Sequence, residues 1–210
     1  MHTHAPRPVY TSCPPRPPLH TPAEKLQLIL NPEDKFDVGL NVARLLSSLP
    51  DAAWPCATTA TYTSAGKALT IDAPVLSQLA RVCPALRAAP AVRVAPGHGA
   101  VTGKALAGVA ATLQMLQLHL DAGPSDRYSS AIDDFAPLAA ALARLGRLQK
   151  LQLSLSERFK GDTTTLFGAA RALPALSALR LKLHHGKRLT AGMVGSHGGL
   201  TGVTSLQLSL

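Results

Sequence analysis

One eleven-residue word constrains this chain more than any other feature. LGRLQKLQLSL, Leu145 to Leu155, returns as LPALSALRLKL from Leu173 to Leu183 and as LTGVTSLQLSL from Leu200 to Leu210. A word that recurs every few tens of residues marks a stack of similar units, since a unit that short cannot bury its apolar face alone and must share a core with its neighbours. The closing alternation of Leu151, Leu153 and Leu155 has the period of a strand, which buries every second side chain. Leu145 and Leu148, three apart, suit the end of a helix and the turn that feeds the strand. One unit is thus a helix returning to a strand, and stacking gives parallel strands on one side and helices on the other.

This spacing resembles the leucine-rich repeat, whose consensus runs Leu-x-x-Leu-x-Leu-x-x and then Asn or Cys. Aligned on the last consensus leucine, the copies fall at Leu28, Leu69, Val92, Leu118, Leu153, Leu181 and Leu208, at intervals of 41, 23, 26, 35, 28 and 27 residues. Four of the six lie within the usual range of about 20 to 29, and the two long ones have room for an insertion or a degenerate repeat. TTATYT, Thr58 to Thr63, is β-branched enough to be an extra strand inside the first of them. Three residues after each aligned position, where the family places Asn or Cys, stand Asn31, Asp72, Ala95, Asp121, Ser156 and His184. Asp72, Asp121 and Ser156 are short polar groups able to accept a backbone N–H in place of Asn.

The resemblance implies an α/β fold, a right-handed leucine-rich-repeat solenoid or horseshoe with a parallel β-sheet on its concave face and helices on its convex face. It occupies residues 25–210 as six or seven repeats and lacks a C-terminal cap. The resemblance also implies a non-enzymatic protein–protein interaction scaffold that binds a partner protein on the concave strand face. With Leu206, Leu208 and Leu210 completing a strand and no capping segment after them, self-association is expected, or else the chain is a fragment of a longer repeat protein.

Composition agrees with a layered core, because 46% hydrophobic residues with only 4% aromatics leave Leu and Ala to fill the interior. Residues 1–24 read as a disordered Pro/His-rich tail: the seven prolines from Pro6 to Pro22 exclude a helix or central strand. The start MHTHAPRPV has no apolar segment or small-residue cleavage site, and no run of about 18 apolar residues follows, so a cytoplasmic protein without a membrane span is expected. Cys13, Cys56 and Cys83 are odd in number with no CxxC spacing, which points to reduced thiols and no structural zinc.

Chemistry-bearing motifs are tempting but incomplete. AVRVAPGHGAVTGKAL, Ala91 to Leu106, has the strand, Gly-rich turn, Lys and helix of a phosphate-binding loop, but His98 stands where its first Gly is needed and Ala105 where its hydroxyl is needed. A loop before a helix capped by Thr102 is the expectation there. Ser196 beside His197 lacks a nucleophile elbow and an acid partner, and His184 with His185 reads as a strand-end turn. No catalytic residue, cofactor or metal is therefore assigned.

Charge is the one unevenly distributed property. Between Arg144 and Arg188 lie ten basic residues against two acids, Glu157 and Asp162, a net +8 of the chain's +9. Polyanion or nucleic-acid binding through this 144–188 cluster is the alternative function, although no aromatic stacking set accompanies it. For protein recognition, the expected contact residues are the outward strand positions Arg93, Gln117, His119, Gln152, Ser154, Arg180, Lys182 and Gln207. The row turns basic at Arg180 and Lys182, where an acidic partner is expected to sit.

Overall fold

In a computed structural model, the structure describes residues 24–30, 38–64, 66–95, 97–121, 135–156, 164–183 and 202–209. The chain is a mixed α/β protein. In order, it forms β1 (Lys25–Leu30), α1 (Val38–Ser47), β2 (Thr59–Ser64), β3 (Lys67–Ala68), α2 (Ala73–Val82), β4 (Val92–Val94), α3 (Gly99–Ala107), β5 (Met115–Leu120), α4 (Ala136–Leu142), β6 (Lys150–Leu155), α5 (Thr164–Arg171), β7 (Ala178–Leu183) and β8 (Ser205–Ser209). β1, β2 and β3 form one sheet, and β4 to β8 form a second in strictly sequential order, with every neighbouring pair of the second sheet parallel. Parallel neighbours require a crossover, and α3, α4 and α5 supply the connections from β4 to β7.

The register follows the leucines. Val92, Leu118, Leu153, Leu181 and Leu208 stand opposite one another across β4 to β8. The first four are buried, and the flanking rows Leu116–Leu151–Leu179 and Leu120–Leu155–Leu183 are buried with them. A one-residue slip would turn each row to the solvent face, so this buried set defines the pairing.

The backbone carries its own period just before each strand. The carbonyl of Glu24 accepts from the amides of Thr58 and Thr59, that of Thr58 from Arg87 and Ala88, and that of Arg87 from Gln114 and Met115. The series continues with Gln114 accepting from Gln149 and Lys150, Gln149 from Ser177 and Ala178, and Ser177 from Thr204 and Ser205. The accepting residues are 34, 29, 27, 35 and 28 apart, so each layer is stitched to the next at the same point by one shared carbonyl.

This ladder corrects the reading of the N-terminal repeats. Leu28 stands opposite Tyr62, not Leu69, because all but the first residue of TTATYT lies in strand β2, which pairs with β1 along six residues. β3 turns back antiparallel on β2 through Gly66, whose φ of +76° suits the residue without a Cβ, and the chain then rejoins the main direction at Ile71, which bridges to Val92. The ALTID strand is thus reduced to β3 and that bridge. The uneven 41- and 23-residue intervals follow from alignment on Leu69, which lies within this excursion.

The helices differ in detail from their sequence boundaries. α4 begins at Ala136 with Pro137 in its first turn, where the missing N–H costs nothing and the fixed φ suits a helix start. α3 begins at Gly99, which places Thr102 inside the helix; its hydroxyl is buried without a partner and caps nothing. Gly103, of the near-miss phosphate loop, serves packing instead: a Cβ there would lie 2.8 Å from the backbone oxygen of Pro137, so the glycine lets α3 and α4 approach. Asp72 caps α2 by accepting from the amide of Val75 at 3.1 Å. Arg81, in the last turn of α2, donates to the carbonyls of Leu46 and Leu49 at 2.6 and 2.7 Å and so ties the end of α1 to α2. Trp54 is half-buried against the core. The tail before Glu24, Asn31, the capping candidates Asp162 and Thr163, and the histidines at 184, 185 and 197 lie outside the described residues. Among the described residues, no helix is long and apolar enough to cross a membrane.

Candidate functional site

With the leucines turned inward, alternation sends the residues between them to the opposite face of the second sheet. Register then orders them into two rows. One is Gln117, Gln152, Arg180 and Gln207; the other is Arg93, His119, Ser154, Lys182 and Ser209. All eight residues expected from sequence at the contact surface fall in these rows. Arg93, Arg180, Lys182 and Gln207 are exposed, and Gln117, His119 and Gln152 are half-buried.

Ser154 differs from the others. It is only 2% exposed, as buried as the leucines beside it, and its hydroxyl has no hydrogen-bond partner. A flat surface in contact with a partner cannot use such a group. It is instead part of a cleft of about 200 Å³ at the carboxyl ends of β4, β5 and β6, lined by Thr70, Arg93, His119, Leu120, Asp121, Ser154 and Ser156.

Sequence reasoning missed the pair at the centre of this cleft. Arg93 donates through Nε and Nη2 to the same oxygen, Oδ2 of Asp121, at 2.7 and 2.6 Å. The signal was present in the alignment: once Val92 is set opposite Leu118, Arg93 falls opposite His119 and Asp121 follows two residues later. Asp121 was expected to stand in for the consensus Asn by accepting a backbone N–H, but its carboxylate takes the Arg93 guanidinium. Backbone bonds hold the strand ends, the Asp121 amide donating to the Val94 carbonyl and the Ser156 amide to that of Leu120, both at 3.0 Å.

The pairing also redraws the electrostatics. With Arg93 neutralised by Asp121, the positive charge of the two rows is concentrated at Arg180 and Lys182 on β7, next to each other along one strand and both exposed. The rest of the basic cluster is divided. Arg144 and Arg147 lie in the turn after α4, Lys150 opens β6 and Arg171 ends α5, all exposed, while Arg158, Lys160, Lys187 and Arg188 lie outside the described residues. Arg44, Arg81, Lys104 and Arg171 each stand in the last turn of a helix, where a cation offsets the negative end of the macrodipole.

Among the described residues, no group of three or more His, Cys, Asp or Glu side chains could hold a metal ion. Burial pushes the Cys83 thiol up to about 11, so it stays protonated and unreactive near neutrality. No family model matches the chain, and neither a curated protein nor a solved structure does.

Proposed function

We propose that this chain is a cytoplasmic, non-enzymatic recognition scaffold of leucine-rich-repeat type, a solenoid that binds an acidic protein partner on the outward face of its parallel sheet. The observation that carries the reading is the pair of polar rows in register across β4 to β8, which carry exposed Arg180 and Lys182 side by side on β7. A sequential parallel sheet stitched at regular intervals supports the repeat reading. Rows of amide, hydroxyl and cationic side chains with one cleft of about 200 Å³ suit a polypeptide better than a small substrate, since they offer hydrogen bonds and charge without a cavity that encloses a whole small molecule.

The test is titration of the chain with a glutamate-rich peptide and, separately, with single-stranded RNA of equal charge. Reversing Arg180 and Lys182 to Glu is expected to weaken peptide binding at least tenfold while leaving the melting temperature unchanged, because both side chains are exposed. An unchanged affinity would move the site elsewhere. RNA binding that is tighter than peptide binding and falls steeply with salt would favour the alternative, a polyanion surface in the 144–188 cluster.

A further inference from the structure

We propose that the cleft between Arg93 and Ser154 seats one neutral primary-amide side chain, Asn or Gln, of the polypeptide partner, three residues from an acidic side chain lying over Lys182. The inference rests on the reading of the outward sheet face as a surface for an acidic polypeptide.

Size sets the first limit. At about 200 Å³ the cleft is smaller than the roughly 300–1,000 Å³ of pockets that enclose whole small molecules, and it suits a single side chain. Charge sets the second. Arg93 and Asp121 cancel each other at 2.6 Å, so an entering carboxylate would meet Asp121 and an entering ammonium would meet Arg93. Either would also lose hydration without an unopposed counter-ion to replace it. A neutral side chain avoids both penalties.

Hydrogen-bonding capacity sets the third. Both contacts of the pair use Nε and Nη2 of Arg93 and the single oxygen Oδ2 of Asp121. Nη1 of the arginine and Oδ1 of the aspartate are left outside that pairing, a donor and an acceptor at the same site. Ser154 adds a hydroxyl without a partner on the row shared with Arg93 and His119. A primary amide presents the complement of this set: its carbonyl oxygen accepts from Arg93 and Ser154, and its NH2 donates to Asp121.

The distance to the basic pair fixes the spacing. Neighbouring strands lie about 4.8 Å apart, so Lys182 on β7 is about 9.6 Å across the row from His119 on β5, the middle one of the three strands that line the cleft. A polyproline II segment advances about 3.1 Å per residue and returns its side chains to the same side every third residue, which matches that span. A β-strand, with its two-residue period, would turn the third side chain away.

An array of proline-rich peptides tests this, each with one glutamate and, three residues to either side, each of the twenty amino acids in turn, probed with the full 210-residue chain. Asn and Gln are expected to bind about tenfold better than Ala, Asp or Lys at that position. Ser154→Ala and Asp121→Asn should each reduce that preference to less than about threefold while the contribution of the glutamate is kept, and Arg180→Glu with Lys182→Glu should do the reverse. If peptides bind through the glutamate with no amide preference, or if both cleft variants keep the preference, the seat is refuted while the acidic-partner surface stands. If no peptide binds, glutamate included, the surface reading falls and takes this inference with it.

Discussion

Ser154 shows how much a single position depends on its neighbours. It alternates with Leu153 and Leu155 and so faces away from the core, yet it is buried with an unpartnered hydroxyl. Such a group costs about 1–3 kcal/mol, and replacing it with a methyl of similar size removes that cost. Ser154→Ala is therefore expected to stabilise the free chain by about 1 kcal/mol, seen as a higher urea midpoint at constant m value; a lower midpoint would mean that the hydroxyl is engaged. Cys83 gives a pH test. Its folded value lies at about 11, above the ordinary 9.0, so between these values the unfolded thiol ionises while the folded one does not. Stability is intact below pH 9 and declines as pH rises above it, a trend that Cys83→Ala should lessen. At pH 8 a maleimide should modify exposed Cys56 and spare Cys83 until the chain unfolds. The outward placing of Arg180 and Lys182 was legible from strand alternation alone. The Arg93–Asp121 pair could be reached only by combining that alternation with the register of Val92 on Leu118, and the burial of Ser154 not at all, because a period of two assigns a residue to a face but says nothing of what packs over it.

Elements were legible where apolar period and cap chemistry agreed and were misjudged where an irregular segment intervened. The strands around Leu153, Leu181 and Leu208 were readable because three copies of one word carry the same register, and that around Leu118 from its own alternation of leucines. β2 was recognised as a strand but not as the partner of β1, since Leu69 offered a leucine where the ladder uses Tyr62. Thr102 was misread as a cap because a hydroxyl near a glycine-rich turn has the same local appearance inside a helix as before one. Gly103 supplies a test at this scale. Its missing Cβ faces the Pro137 backbone oxygen at 2.8 Å, and backbone cannot swing aside as a side chain can. Gly103→Ala should force α3 and α4 apart and cost about 1–3 kcal/mol, despite the better helix propensity of alanine. An equal or higher melting temperature would show that the two helices can slide without loss.

At the scale of the whole molecule, the last strand is the least covered part of the second sheet among the described residues. There β8 pairs with β7, and Leu206 and Leu208 are 47% and 43% exposed although they continue rows that are buried at Leu179 and Leu181. On β1, Ile29 is 70% exposed on the outward face, opposite Thr63. A strand edge with open backbone groups and uncovered leucines invites another chain. Light scattering is expected to give a molar mass that rises with concentration, and Leu206→Lys with Leu208→Lys should lower it; a constant monomer mass would overturn this. The register of these leucines is readable from the repeated word, and their exposure is what the sequence leads one to expect; its extent depends on tertiary structure that no period encodes. The shared carbonyls from Glu24 to Ser177 have a mechanical consequence. They join each layer to the next through backbone groups that any side chain permits, so the connecting segments are free to differ in length while the joint stays the same. Pulled apart from β1 and β8, such a stack should yield one joint at a time, as a zipper does. Each release would free 27 to 35 residues, or about 100 Å of extended chain, giving a sawtooth of nearly equal teeth.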